Sequence, residues 1–417
     1  MNVLKKLQLQ VSQDGHLTLP PDLAHSLGIM PGSTVIVEAG QDGVYIHSPV
    51  SHLAKVYLEP TNTCNLGCRT CMRNVWDEPL GCMDGATFQR VLTGLAAFSP
   101  PPDVFFGGFG EPLSHPRILD MLKQIKALGS RVELISNGVL LTPEISQSLI
   151  QAGLDMLWIS IDGACAESYA DVRLGAELPQ VIANLKHLRR LQVQSHRVLP
   201  DLGFAFVAMR RNIKDLPEVL RMGSRLGVTH FSISNVLSHT GELAAEELYD
   251  RSMYAGAYQV SSGLPHINFP RMDPLGDTLV AVEEVLSGRY KVSFAGVEMG
   301  ASVNRCPFIH KNSLSIRWDG AVSPCLPLLH THQCYLDKRL RVIKEYLSGN
   351  ILDQDLPEIW RDPGYLALRE RLRDFDFSPC TFCNSCEMPD SNLEDCFGSS
   401  APACGGCLWA QGIIQCP

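Results

Sequence analysis

Three cysteines, Cys64, Cys68 and Cys71, stand at C-x3-C-x2-C spacing just after the strand-like run Ala54–Glu59. Four thiolates saturate a four-iron cluster, so a tight set of three leaves one iron open to a non-protein ligand. Half of a zinc site is the bland alternative, but no paired knuckle of matching spacing follows nearby.

Three further polar segments fall where strands are expected to end. Phe106-Gly107-Gly108-Phe109-Gly110-Glu111-Pro112 offers glycines that let backbone approach a ligand, and Glu111 as an acceptor for an amino group. Ser136-Asn137-Gly138 and Ser160-Ile161-Asp162-Gly163 follow the next two strands. Ligands of parallel α/β folds bind at the carboxyl ends of strands, so four such motifs in succession point into one pocket.

The elements that must position them alternate. Strands are expected near 54–59, 103–106, 131–135, 156–161, 202–207 and 229–234, with helices near 84–97, 115–128, 142–152, 178–191 and 215–226. Thr142-Pro143 marks a helix start, and Gly129 and Gly227 mark stops. This order implies a parallel sheet of right-handed crossovers, an α/β partial (β/α)6 barrel of TIM type.

On these motifs residues 54–235 resemble a radical S-adenosylmethionine (SAM) core. The resemblance implies that Cys64, Cys68 and Cys71 hold a [4Fe-4S] cluster whose fourth iron chelates SAM. It also implies that Gly107, Gly108, Gly110 and Glu111 contact the methionine amino group, that Ser136 and Asn137 lie near the ribose, and that Ser160 and Arg173 contact ribose or carboxylate. Thr70 is a departure, since the family usually has an aromatic residue before the last cysteine.

A second cysteine field begins at Cys306, followed by Gly320 and Cys325, then Cys380-x2-Cys383, Cys386, Cys396, Cys404-Gly405-Gly406-Cys407 and Cys416. This resembles the SPASM extension of radical SAM maturases, which implies two auxiliary [4Fe-4S] clusters. On that pattern Cys306, Cys325 and Cys407 serve one cluster, and Cys380, Cys383, Cys404 and Cys416 the other. Cys386 and Cys396 lie in an insertion, and the 404–407 spacing is one residue short, so the allocation stays open among the seven cysteines from Cys380 to Cys416. A zinc ribbon is the alternative, because thiolates alone do not separate zinc from iron–sulfur. Cys82, Cys165 and Cys334 read as small buried hydrophobes, Cys334 remaining a spare ligand; His310, His330 and His332 read as structural or surface residues, and Trp76, Trp158, Trp318 and Trp360 as packing residues.

The 417 residues carry 35 Lys and Arg against 44 Asp and Glu, a net charge of -9 with no long basic run, so DNA is not an expected partner. No signal-peptide core or membrane-length apolar stretch appears, and with 15 cysteines the expected compartment is a reducing cytoplasm. The expected domains are 1–50, 51–240, a bridge at 241–300 without clean periodicity but with helices near 242–249 and 277–286, and 301–417. The last is expected to fold around metal rather than an apolar core, with one helix near 364–373. Residues 7–48 show strand patterns at 7–11, 16–19, 34–38 and 44–47 and a short helix from Pro21; they resemble the SpoVT/AbrB swapped-hairpin domain. They contain no Lys or Arg, which favours a docking or dimerisation role over reading DNA.

The whole layout, including the Cys71–Glu78 run and the Cys404–Pro417 tail, resembles the radical SAM maturases associated with tungsten-cofactor aldehyde ferredoxin oxidoreductases. That implies reductive cleavage of SAM to methionine and a 5′-deoxyadenosyl radical, a protein, peptide or protein-bound cofactor as substrate, and an electron donor such as ferredoxin or flavodoxin. Two rivals are a maturase that crosslinks a ribosomally made peptide and an iron–sulfur redox-sensing regulator on DNA.

Overall fold

The computed structural model describes residues 9–40, 43–249, 266–273, 275–287, 291–294, 297–299, 304–336, 338–381, 383 and 386–417. Six parallel strands run in chain order across the central sheet: β1 (Lys55–Leu58), β2 (Asp103–Phe106), β3 (Val132–Ser136), β4 (Met156–Ser160), β5 (Asp201–Ala208) and β6 (His230–Asn235). Val56, Leu58, Val104, Phe106, Leu134, Leu157 and Ile159 are fully buried. Such near-continuous apolar strands are what a parallel sheet covered on both faces requires.

Helices Gly85–Ala96, Ile118–Ala127, Pro143–Ala152, Leu178–Gln194 and Leu216–Arg225 form the crossovers. Two carry side-chain caps: Asp84 accepts the Thr87 N–H at 2.7 Å and Thr142 the Ile145 N–H at 3.3 Å. These elements match the sequence pattern because each is a local period of apolar residues, most of them closed by a cap or a glycine.

The sheet does not stop at β1. Strand β7 (Ser313–Ile316) pairs parallel to β1, and β8 (Ala321–Ser323) and β9 (Gly349–Asn350) continue antiparallel. The region after Cys306 therefore does not fold around metal alone. Phe308, Leu314, Ile316, Val322, Leu329, Ile359 and Trp360 join the core of the barrel. Two of the buried serines that mask this strand pattern are satisfied by carbonyls, Ser313 Oγ donating to Phe308 O at 2.8 Å and Ser323 Oγ to Cys325 O at 3.1 Å, whereas the buried Ser315 Oγ has no hydrogen-bond partner.

Other expectations need correction. The bridge holds a β-α-β unit, His266–Phe269 pairing parallel with Lys291–Phe294 around helix Asp277–Ser287, with Val297–Met299 antiparallel beside them. The helix expected at 242–249 is only the turn Gly241–Ala244, capped by Thr240. A hairpin, His332–Leu336 with Arg339–Ile343, and a second helix, Leu356–Arg361, accompany the expected one, which spans Pro363–Asp374.

Near the N-terminus the described residues show helix Pro21–Ser26, the antiparallel pair Val37–Gly40 with Gly43–Ile46, and a single bridge between Val11 and Leu17 in place of two full strands. Leu7, Gln8, Asp42, Pro265 and Pro274 lie outside the described residues. Among those described, no helix is long and apolar enough to cross a membrane.

Candidate functional site

The loop after β1 carries Cys64, Cys68 and Cys71, and the strand ends of β2, β3 and β4 deliver the other expected groups. They line one cavity of about 300 Å³, within the range of small-molecule pockets. Gly108, Gly110, Glu111, Ser136, Asn137, Ser160 and Arg173 all reach it. Gly107 does not line it: a Cβ there would meet the Phe105 ring at 2.3 Å, so that glycine serves packing. Thr70 lines the cavity without a ring, while Phe109 and Trp409 supply aromatic faces.

Glu111 has its acceptors committed. Its Oε1 accepts from Ser136 Oγ at 2.9 Å and Leu113 N–H at 3.0 Å, and its Oε2 accepts the Asn137 N–H at 2.8 Å. Burial raises its pKa despite those hydrogen bonds. The expectation of a free acceptor for an amino group is thus modified: Glu111 first joins the end of β3 to the glycine loop. Gly110 lies against the same framework, and a Cβ there would stand 2.1 Å from Thr61 O.

Each thiol of the triplet has a donor nearby. Asn137 Nδ2 lies 3.9 Å from Cys64 Sγ, Arg173 Nη1 3.8 Å from Cys68 Sγ, and Arg73 Nε 3.4 Å from Cys71 Sγ. Arg173 is held by Asp162, which is fully buried, at 2.6 Å; Asp162 in turn accepts the Val207 N–H at 2.7 Å. Burial raises the Cys64 and Cys68 pKa values. Three thiols beside two guanidinium groups fit the anionic thiolate set of a cluster with one open iron.

The second cysteine field divides differently from the sequence expectation. Cys306, Cys325, Cys404 and Cys407 line one cavity of about 60 Å³, with Cys334 and His332 also on its wall. Burial, reinforced by neighbouring thiols, pushes Cys306 up to about 12 and holds Cys325 and Cys404 well above the usual range. Thiols in such an apolar, buried setting do not ionise together without a cation, which an iron–sulfur core would supply. Cys404 therefore sits with Cys306 and Cys325 rather than with Cys380.

Asp395 organises the remaining set. Its carboxylate accepts the N–H groups of Ser378, Phe397 and Ser399 at 2.9–3.1 Å, folding Cys396 back toward Cys380. Cys383 and Cys386 lie exposed on the same loop. Among the described residues no group of three or more His, Cys, Asp or Glu converges on a single-ion position. Cys82 and Cys165 are exposed rather than buried, whereas Cys334 is buried.

Cys416 is displaced most from expectation. It lines the barrel cavity with Ile414, Gln415 and Trp409, whose Nε1 lies 3.4 Å from its sulfur. The tail is pinned there by Asn235 Nδ2 on Ile413 O at 2.9 Å and by Gln415 N–H on Ser234 Oγ at 3.0 Å. Sequence reasoning missed this wall because a non-periodic tail carries no signal of where it returns.

Comparison with known proteins agrees with this arrangement. Residues 58–222 match the radical SAM superfamily and residues 306–387 match SPASM, an iron–sulfur cluster-binding domain. The chain is 31% identical over 368 residues to the tungsten-containing aldehyde ferredoxin oxidoreductase cofactor-modifying protein of Pyrococcus furiosus, covering 87% of this chain and 96% of the relative. It is 25% identical to the PqqA peptide cyclase of Gluconobacter oxydans, over 84% of this chain and 85% of that one. In fold it is similar to Streptococcus suis SuiB bound to S-adenosylmethionine, with a TM-score of 0.51, 15% identity, and coverage of 80% and 71% of the two chains. The 31% identity over most of both chains, the two domains and the thiol-lined barrel together show that the chain belongs to the SPASM-bearing radical SAM enzyme family of the aldehyde ferredoxin oxidoreductase cofactor-modifying proteins, whose cofactors are [4Fe-4S] clusters and SAM.

Proposed function

We propose that this enzyme modifies a tungsten-containing aldehyde oxidoreductase or its bound cofactor by SAM-derived radical chemistry. The observation that carries the substrate is the match over nearly the full length of the Pyrococcus furiosus relative, whose name states that activity. A low-potential one-electron donor such as ferredoxin or flavodoxin serves as reductant. Cys64, Cys68 and Cys71 would hold the cluster in the barrel, and with SAM bound it would supply reductive cleavage of the sulfonium and the radical chemistry that begins with hydrogen abstraction from the substrate.

The residues of the chain divide the remaining work. Cys64, Cys68 and Cys71 hold the cluster, and Arg73 and Arg173 offset its negative charge. Gly108 and Gly110 let the loop backbone approach SAM, Glu111 fixes that loop to Ser136 and Asn137, and Ser160 borders the ribose side. The tail from Trp409 to Cys416 closes the cavity against water. Cys306, Cys325, Cys404 and Cys407 hold one auxiliary cluster, and Cys380, Cys383, Cys386 and Cys396 the other.

The match to a peptide cyclase over most of both chains favours, as a second reading, a ribosomally made peptide as substrate. The two are separated by producing the tungsten oxidoreductase with and without this chain, then comparing its activity and the mass of its released cofactor. No difference in either, alongside a mass change in a peptide precursor, would reject the first reading. Anaerobic reconstitution is expected to give about twelve irons, as three four-iron clusters. SAM cleavage with dithionite should vanish in the Cys64→Ala/Cys68→Ala/Cys71→Ala variant.

A further inference from the structure

Glu59 follows β1 and is fully buried. Its Oε2 accepts the Phe109 N–H of the glycine loop at 3.0 Å, and its Oε1 lies 2.9 Å from His330 Nε2. The other imidazole nitrogen, Nδ1, lies 2.6 Å from Glu78 Oε2, while Glu78 Oε1 accepts the Thr331 N–H at 3.2 Å. Trp76 stacks on the imidazole with centroids 4.3 Å apart, and Phe109 stands edge-on to both rings at 5.0 and 5.4 Å. The loop is moulded to this group: Gly108 has φ +116°, and a Cβ there would meet Glu59 Oε2 at 2.6 Å.

Ionised carboxylates only accept hydrogen bonds, so an imidazole with each nitrogen on one of them donates from both, as the imidazolium. Burial alone would lower the His330 pKa, but Glu59 and Glu78 outweigh it and raise it. The other titratable neighbour, His332, accompanies them on the same segment and is held neutral by burial, its pKa lowered to about 4. His330 comes from the auxiliary domain, five residues past Cys325, whereas Trp76 and Glu78 follow Cys71 and Phe109 borders the SAM cavity. One side chain thus joins both ends of the molecule's iron–sulfur apparatus to the loop between them.

We propose that His330 is a positioning residue for SAM: clamped between Glu59 and Glu78, it fixes the Gly108–Gly110 loop in its binding shape, so the auxiliary domain sets the barrel's affinity for SAM. This rests on the assignment of the cavity to SAM. Removing the imidazole would leave the Glu59 carboxylate buried without its cation, and the Phe109 N–H would lose a fixed acceptor. As pH rises through that raised pKa the clamp loses one donor, so affinity is greatest on the acidic side of it and declines with rising pH.

The test is equilibrium dialysis of labelled SAM against anaerobically reconstituted protein from pH 6 to 9, with iron counted in the same samples. His330→Ala is expected to weaken SAM binding about tenfold or more with wild-type iron content. Adding Glu59→Gln should recover part of the loss, because the orphaned charge is gone; a merely space-filling role predicts no recovery. Glu78→Gln, at the partly exposed edge of the clamp, should move the alkaline limb to lower pH. Wild-type affinity in His330→Ala, or SAM binding lost only in proportion to iron, overturns the proposal. If His330→Ala does not fold, an unchanged affinity and alkaline limb in Glu78→Gln overturns it. Absence of SAM binding by the wild-type protein would instead reject the assignment of the cavity.

Discussion

Glu111 and Asn137 are joined across neighbouring strand ends, the Asn137 N–H donating to Glu111 Oε2 at 2.8 Å while Ser136 Oγ holds Oε1 at 2.9 Å. The pair ties the glycine loop after β2 to the turn after β3, and both residues face the cavity. A carboxylate suits this position because it accepts from three donors at once.

Glu111→Gln therefore removes more than a charge. A glutamine presents one carbonyl oxygen and one amide group, and the amide would face a donor. Leaving a buried N–H unpaired costs about 1–3 kcal/mol. Urea unfolding should show that loss, and SAM affinity should fall with it; an unchanged denaturation midpoint would mean that the loop is held by other contacts.

Gly110→Ala tests the same framework from the backbone side. The added Cβ would stand 2.1 Å from Thr61 O and 2.7 Å from Thr63 O, both main-chain atoms that do not rotate away. Overpacking of this kind costs about 1–3 kcal/mol. The thermal midpoint should drop and SAM cleavage should be lost even in the folded fraction. Retained cleavage would show that the loop does not approach SAM.

What was legible in the sequence follows from range. The six barrel strands and their polar ends are local patterns, and parallel topology converts chain order into spatial order, so Cys64, Glu111, Asn137 and Ser160 meet without further information. The contacts that were not legible span the chain. Glu59 and His330 are 271 positions apart, β7 pairs with β1 across a similar gap, and the alternation of Ser with Leu and Ile in β7 looks too polar for a core strand until the Phe308 carbonyl that accepts from Ser313 is known. The cysteine field was recognisable by type, but which thiols share a cavity depends on how Asp395 folds its loop and where the tail returns.

His115, just after the glycine loop, gives a pH dependence. Its Nε2–H donates to Met83 O at 2.9 Å and its Nδ1 accepts the Arg117 N–H at 3.2 Å, an arrangement that only the neutral ring satisfies. Burial lowers its pKa below the usual value of about 6.5. A lowered histidine contributes stability that is present above the unfolded pKa and is lost as pH falls through the folded one. Thermal midpoints measured from pH 7 to 4 should decline less steeply in His115→Gln than in the wild type; identical slopes would reject the assignment.

Iron content distinguishes the two ways of allocating the auxiliary cysteines. The sequence pattern groups Cys416 with Cys380, Cys383 and Cys404, whereas the structure places Cys416 on the barrel cavity beside Trp409 and places Cys404 with Cys306, Cys325 and Cys407. Eleven cysteines then suffice for three clusters: three in the barrel, Cys306, Cys325, Cys404 and Cys407 in one set, and Cys380, Cys383, Cys386 and Cys396 in the other. Cys416→Ser should accordingly keep about twelve irons, and Cys396→Ser should lose about four, since a cluster that lacks one thiolate ligand is open to solvent and labile. The tail still closes the cavity, so Cys416→Ser should alter coupling: more 5′-deoxyadenosine formed per substrate modified. Loss of four irons in Cys416→Ser with full iron in Cys396→Ser would restore the sequence-based grouping, because the tail would then have to leave the barrel to ligate the second auxiliary cluster.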